Sequence, residues 1–151
     1  MYKKILLPVD GSALSLSSAN AGLELAQQLK ASVVIVFIAP TFQYPVYGEF
    51  IPPVTQTEEE YQAAMRALGD NYFQPIKESA NMMDIACQIE TKFSDSTAKE
   101  IVHIAGQYGC DLIFMGSHGR SGLGNFLLGS VTTKVLSICQ IPVLVHRIKQ
   151  S

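Results

Sequence analysis

Apolar residues along this chain fall into two kinds of run. Residues 5–9 (Ile-Leu-Leu-Pro-Val) and 33–38 (Val-Val-Ile-Val-Phe-Ile) are continuously apolar, the pattern of strands buried on both faces of a sheet. Residues 112–115 (Leu-Ile-Phe-Met) and 143–145 (Val-Leu-Val) repeat it more briefly, whereas 85–91 only alternates and so predicts an edge strand. Between these runs the apolar spacing lengthens to three and four residues. Leu16, Ala19, Leu23, Ala26 and Leu29 predict a helix over 12–30 with Ser12 as its N-cap. Thr57 and Glu60 form a T-x-x-E capping box, after which Tyr61, Met65, Leu68, Tyr72 and Ile76 carry a helical period to about Ala80. Ser94-Asp95-Ser96 is expected to cap a third helix, with Ile101, Ile104, Ala105 and Tyr108 inward and Gly109 just past its end. A fourth helix is expected over 130–138, with Val131, Val135 and Ile138 inward.

Five short strands separated by four helices predict an α/β fold, a parallel sheet wound on both sides in a single domain spanning 1–151. Ligands bind such sheets beyond the carboxyl ends of the strands, where the strand order reverses. With the order 3-2-1-4-5 that point lies between the first and fourth strands, and Asp10 stands beside Gly116. The 40–56 stretch carries four of the seven prolines together with Phe42, Tyr44, Tyr47 and Phe50, and is therefore a loop. Its aromatics have three uses open to them: covering a ligand, the sheet edge, or a partner.

Candidate chemistry concentrates after the fourth strand. Gly116, Gly119, Gly122 and Gly124 fall within nine residues, and Gly129 directly precedes the helix. Such a loop lets a ligand approach the backbone, and the helix behind it offers bare N–H groups at the positive end of its dipole. Phosphate is the expected anion. The loop is not a Walker P-loop, because the chain has no Gly-Lys pair, and the first strand–helix turn, Asp10-Gly11-Ser12, lacks a dinucleotide fingerprint. A PP-loop Ser-Gly-Gly and a HIGH-type histidine pair are also absent.

What remains is G-x-x-G, nine residues, then Gly-Ser: Gly116, Gly119, Gly129 and Ser130. Here the sequence resembles the universal stress protein family, in its ATP-binding branch. The resemblance extends over the whole chain, from Lys3-Lys4-Ile5-Leu6-Leu7-Pro8-Val9-Asp10-Gly11-Ser12 to Pro142-Val143-Leu144-Val145. It implies a Rossmann-like three-layer sandwich, dimerisation through the last strand (Val143 to His146), and ATP at the switch point. Carried over by position, it puts Asp10 and the backbone near Ile38 at the adenine, with Pro8 and Val9 lining that pocket and Met115 and Gly116 near the ribose. Gly119, Gly129, Ser130, Val131 and Thr132 would hold the phosphates, with Arg120 as the loop's cationic side chain. Val9 stands where many family members have a hydroxyl residue. Mg²⁺ is expected only as a companion of the nucleotide, with no metal site in the protein itself.

Composition narrows the partners. The net charge is −2 and no Lys/Arg run occurs, which argues against nucleic acid and anionic membranes. Cys87, Cys110 and Cys139 are odd in number, widely spaced and set in apolar surroundings, as buried free thiols would be. The apolar run after the N-terminus is too short for a signal peptide, and no run approaches the ~18 residues of a membrane span, so a cytoplasmic, soluble protein is expected. His118 reads as a backbone prop or a solvent-facing residue rather than a base, Ser117 and Ser121 lack a sequence-evident partner, and Asp10 also reads as a cap of the first turn. The functional expectation is an ATP-binding stress-response protein acting as a dimeric sensor or switch. The alternatives are a nucleotide-independent interaction module and a slow ATPase or autophosphorylating protein, with no residue evidently placed to activate water.

Overall fold

A computed structural model of the chain describes residues 1–44, 56–118 and 128–147. Among them the elements run β1 (Lys4–Val9), α1 (Ala13–Leu29), β2 (Ser32–Ala39), α2 (Glu58–Met82), β3 (Cys87–Phe93), α3 (Thr97–Gln107), β4 (Leu112–Gly116), α4 (Ser130–Ile138) and β5 (Val143–His146). The strands form one parallel sheet in the order β3-β2-β1-β4-β5, the order expected from the sequence, with β3 at an edge. Successive strand residues point to opposite faces, and this sorts the core into two layers. Ile5, Leu7 and Val9 of β1 pack with Val33, Ile35 and Phe37 of β2 beneath α1 and α2. Leu6, Val34 and Val36 pack on the other face beneath α3 and α4, with Ile101, Ile104 and Val135. The result is a Rossmann-like three-layer α/β sandwich.

Local chemistry sets the ends of the helices. Ser12 Oγ accepts the Ser15 N–H at 3.0 Å, and Thr57 and Glu60 close the expected capping box from both sides. The ends of α1, α2 and α3 turn through a left-handed residue: Lys30 (φ 55°), Asp84 (φ 56°) and Gly109 (φ 68°). At each, the next N–H reaches back to a carbonyl of the last turn: Ala31 to Ala26, Ile85 to Ala80, and Cys110 to Ala105. Because Ile85 belongs to that closure, β3 begins at Cys87 rather than at 85.

Three other expectations need correction. Ser96 is the N-cap of α3 but makes no side-chain capping bond. Asp95 Oδ1 instead accepts both the N–H and the hydroxyl of Thr41, at 3.1 and 2.6 Å, tying the exit of β2 to the start of α3. Those two bonds hold the Asp95 carboxyl below its ordinary pKa. In α4 the inward positions are Thr132 and Val135, while Val131 and Ile138 are 36% and 38% exposed. They flank the buried stripe because α4 covers the sheet's β5 end, with no further layer outside it. All three cysteines are free, but only Cys110 is buried; Cys87 and Cys139 are half-buried. Burial pushes the Cys110 thiol up to about 11 and raises Cys87 as well, so both are protonated thiols at neutral pH.

Of the loop aromatics, Phe42 and Tyr44 are described. Phe42 meets Tyr44 edge-on at 4.9 Å and lies 5.5 Å from Tyr61 of α2, which in turn approaches Phe93 of β3 at 6.3 Å. These two cover the β3 side of the sheet; Tyr47 and Phe50 lie outside the described residues.

The feature that opens a site is Pro8. Lys4 O accepts from Asp111, which leads into β4, whereas Lys3 O accepts from Ser32 of β2. Even-numbered β1 residues therefore offer their backbone groups to β4, and Pro8, with no N–H, interrupts that side. Pairing of β1 with β2 continues to Val9↔Phe37, but with β4 it ends at Leu6↔Ile113. Beyond that pair the ladder between the two strands is broken.

Lys30 gives a stability test. An L-residue in the left-handed region costs about 1–2 kcal/mol, part of which glycine returns as chain entropy. Lys30→Gly is expected to stabilise the fold by about 0.5–1 kcal/mol, raising Tm by ~1–4 °C in a thermal melt; a lower Tm would show that the Lys30 side chain contributes more than its backbone strain costs.

Candidate functional site

A cavity of about 300 Å³ opens where β1 and β4 part. Pro8, Val9 and Asp10 form one wall, Met115 and Gly116 another, and Gly129, Ser130, Val131 and Thr132 present the start of α4. Nine of the residues expected from the sequence are thus brought together. Ile38 does not line the cavity; it is half-buried near the end of β2 and packs on the core layer beneath α3 and α4. Gly119 and Arg120 lie outside the described residues, as do Ser121, Gly122 and Gly124.

Each wall is fixed by its own hydrogen bonds. Asp10 N–H donates to Ser15 Oγ at 2.9 Å and Asp10 Oδ1 accepts the Ser12 N–H at 2.9 Å, so this aspartate both caps the first turn and lines the cavity. Gly11, at φ 84°, takes a conformation that L side chains rarely adopt, and a Cβ there would lie 2.2 Å from the Tyr72 ring. On the other side, Gly129 N–H donates to Ser117 O at 2.8 Å, and Thr132 Oγ1 donates to Gly116 O at 2.9 Å. These bonds hold the first turn of α4 against the end of β4. Gly116 itself is closely packed: a Cβ there would come within 2.9 Å of Ser18 Oγ and 3.4 Å of His118 O.

The start of α4 is chemically open. Gly129 is the N-cap and makes no side-chain capping bond, and the first helical bond is from Thr133 N–H to Gly129 O. The N–H groups of Ser130, Val131 and Thr132 precede that bond and have no partner within the helix, an arrangement that receives an anion. Thr132 itself is 3% exposed and its one hydroxyl hydrogen goes to Gly116, so its side chain shapes the site while its N–H faces outward along the helix axis. Asp10 is the one acid among the described lining residues, and they include no Lys or Arg.

Four lining residues escaped the sequence reading: Ser15, Thr97, Ile101 and His118. Ser15 was legible as a polar residue on the apolar side of the first helix. Thr97 and Ile101 sit one turn apart on α3, and only the tertiary packing of α3 beside α4 carries them here. His118 was seen as part of the loop, but not as part of the wall.

The family model of the universal stress proteins matches residues 1–147. The chain belongs to the universal stress protein family. It is 32% identical over 149 residues to the universal stress protein MJ0531 of Methanocaldococcus jannaschii, covering 96% of this chain and 82% of that one. It is 30% identical to YxiE of Bacillus subtilis, covering 97% of this chain and all of its relative. The solved structure of MJ0577, also from M. jannaschii, superposes with a TM-score of 0.79 at 29% identity, covering 100% and 99% of the two chains. More distant structures of the same fold include a universal stress protein in complex with cAMP (TM-score 0.66, 19% identity) and an Arabidopsis thaliana family member with AMP bound (0.61, 15%). At those identities the likeness speaks to the fold alone. Among the described residues no helix is long and apolar enough to cross a membrane, and no group of three or more His, Cys, Asp or Glu could hold a metal ion.

The Thr132–Gly116 bond is testable apart from any ligand. Thr132→Val keeps the shape but leaves the Gly116 carbonyl without its donor, and is expected to cost about 1–3 kcal/mol in urea unfolding. Thr132→Ser keeps the hydroxyl and is expected to lose about 1 kcal/mol or less. No loss in Thr132→Val would show that the hydrogen bond does not hold α4 in place, and equal losses would show that the methyl contributes as much as the bond.

Proposed function

We propose that the cavity between β1 and β4 binds an adenine nucleotide, ATP in the first place, and that the chain is a cytoplasmic, dimeric, nucleotide-dependent switch in a stress response. The observation that carries this reading is the convergence of the open first turn of α4 on the cavity at the carboxyl ends of β1 and β4. In this reading the N–H groups of Ser130, Val131 and Thr132 and the Ser130 hydroxyl hold the phosphates, joined by Gly119 and Arg120 of the loop. Pro8, Val9, Asp10, Met115 and Gly116 take the nucleoside, while the backbone near Ile38, which the resemblance puts at the base, is not part of the cavity lining. The cavity volume falls in the ~300–1,000 Å³ range of small-molecule sites. Four bonds to a charged phosphate, at ~1.5–3 kcal/mol each, give roughly 6–12 kcal/mol before the cost of association. With burial of the base added to these bonds, micromolar affinity, about −8 kcal/mol, is the expectation. Mg²⁺ enters with the nucleotide in this scheme.

The dimer reading rests on the contrast between the two sheet edges. β3 alternates Gln88, Glu90 and Lys92 along its length, a polar row with two charges that discourage pairing. β5 is Val-Leu-Val-His, with Leu144 38% exposed, and Leu136 and Ile138 of α4 are exposed beside it at 43% and 38%. An apolar edge whose four strand residues include no Lys, Arg, Asp or Glu is suited to a second copy of this chain, and Leu144→Glu is expected to convert a dimer to a monomer in light scattering. A wild type that is already monomeric at micromolar concentration would remove the dimer from the proposal.

The nucleotide is tested by denaturing freshly purified protein, identifying what is released by chromatography, and titrating the stripped protein with ATP, ADP and AMP. Released or micromolar-binding ATP is the expected result, with Gly129→Leu losing it while the oligomeric state is unchanged. No release, and no binding up to millimolar ATP, would leave a nucleotide-independent interaction module as the better reading.

A further inference from the structure

The Asp10 carboxylate is aimed by a turn that its glycine does not hold alone. Asp10 Oδ1 accepts the Ser12 N–H at 2.9 Å, closing a small ring of atoms around Gly11, while Asp10 N–H donates to Ser15 Oγ at 2.9 Å. Gly11 sits in the middle of that turn at φ 84°. Glycine suits this conformation, yet it is also the residue most free to leave it. What confines it is Tyr72 of α2. A Cβ built on Gly11 would run into Cζ, Cε1 and Cε2 of the phenol, so the outer end of the ring fills the space beside the Gly11 backbone. The ring is itself held, edge-on to Phe37 of β2 at 5.1 Å, on a helix whose Phe73 and Ile76 are buried in the core. No described residue of α2, Tyr72 included, lines the cavity.

We infer that Tyr72 is a positioning residue for the nucleoside end of the cavity: seated on Gly11, its ring keeps the Asp10 carboxylate directed at a donor of the ligand. This rests on the nucleotide reading above and adds to it a residue on a helix that the ligand does not touch. A carboxylate only accepts, so the group it takes is an N–H or O–H of the base or the sugar. With the ring in place, Gly11 is confined and Oδ1 stays on the Ser12 N–H, which fixes the direction of the whole carboxylate. Without it, Gly11 regains its freedom and the turn is closed in only a fraction of the molecules. The apparent affinity falls by that fraction.

The test is calorimetric titration of the full chain with adenosine and ATP, as wild type, Tyr72→Phe, Tyr72→Leu and Asp10→Asn, each shown by a thermal melt to be folded at the titration temperature. Tyr72→Phe keeps the ring and is expected to bind both ligands within about twofold of wild type. Tyr72→Leu keeps an apolar side chain but is too short to reach Gly11, and is expected to weaken adenosine and ATP by the same factor, roughly 3- to 30-fold. Asp10→Asn can still close the turn onto Ser12 but gives up a carboxylate oxygen. In that background Tyr72→Leu is expected to cost less than about twofold more, whereas beside Ser130→Ala it costs its full factor on ATP. A second readout is exchange of the Ser12 amide proton, expected to quicken in Tyr72→Leu but not in Tyr72→Phe, and to slow in the wild type on adding adenosine, which requires no variant. Full additivity of Tyr72→Leu with Asp10→Asn, or Ser12 exchange that neither Tyr72→Leu nor adenosine alters, would overturn the role of Tyr72 while leaving the nucleotide site standing. A wild type that binds neither ligand would overturn both.

Discussion

A central strand in a parallel sheet offers backbone groups to both neighbours, and β1 stops doing so at Pro8. The missing N–H lies on the β4 side, where the ladder ends at Leu6↔Ile113, while on the β2 side pairing runs on to Val9↔Phe37. The connections then deepen the gap. The chain leaving β1 enters α1 on one face of the sheet, and the chain leaving β4 reaches α4 on the other, as their separate core layers record. Ligands of such folds gather at the crevice between two strands whose connections leave on opposite faces. The cavity, and the place of the α4 N-terminus on its wall, depend on that parting of two strands.

The far wall of the crevice is a continuous hydrogen-bonded unit. Thr132 holds Gly116, Gly129 holds Ser117, Ser117 holds His146 of β5, and His146 Nδ1 lies 3.3 Å from Ser18 Oγ while its ring stacks on Phe114 at 5.7 Å. The residue that ends the exposed edge strand is thus two hydrogen bonds from the N-cap of the helix facing the cavity. A switch needs a ligand to interact differently with two states of the protein. The Ser117–His146 bond is the place in this fold where a change at the cavity and a change at the β5 edge would have to meet, because it joins the two through backbone rather than through a mobile side chain.

Much of this was legible in the amino-acid sequence, for identifiable reasons. Buried parallel strands read as unbroken apolar runs, so β1, β2 and β4 stand out, and Ser12 and Thr57 mark their helix starts through side-chain chemistry that is local. The glycine spacing around Gly116, Gly129 and Ser130 carries the family, and nine of its residues meet at one cavity. What was not legible depends on tertiary placement. Val131 and Ile138 read as inward because they are apolar at helical spacing, yet α4 lies at the margin of the sheet and only Thr132 and Val135 find cover. Asp95 reads as a cap and instead binds Thr41, fifty-four residues away. Thr97 and Ile101 carry no local mark of a site at all. The resemblance puts Thr132 among the phosphate ligands, and only the position of the Gly116 carbonyl reveals that its hydroxyl hydrogen is already committed.

The charge balance of the cavity bears on what kind of binding it supports. Asp10 is the one acid among the described lining residues and none of them is Lys or Arg, so what these residues offer an anion is fixed, neutral N–H groups and the dipole of α4. Such groups act within a turn of the helix end and cost nothing to reorient, whereas a lysine-lined site draws on long-range attraction that salt screens over about 10 Å. Under the nucleotide reading proposed above, these groups would discriminate by fit to the backbone, and a site held in the micromolar rather than the picomolar range would exchange nucleotide as cellular levels change. That is the regime the proposed sensor would require, and the open first turn of α4 bears on it more directly than any single described side chain does.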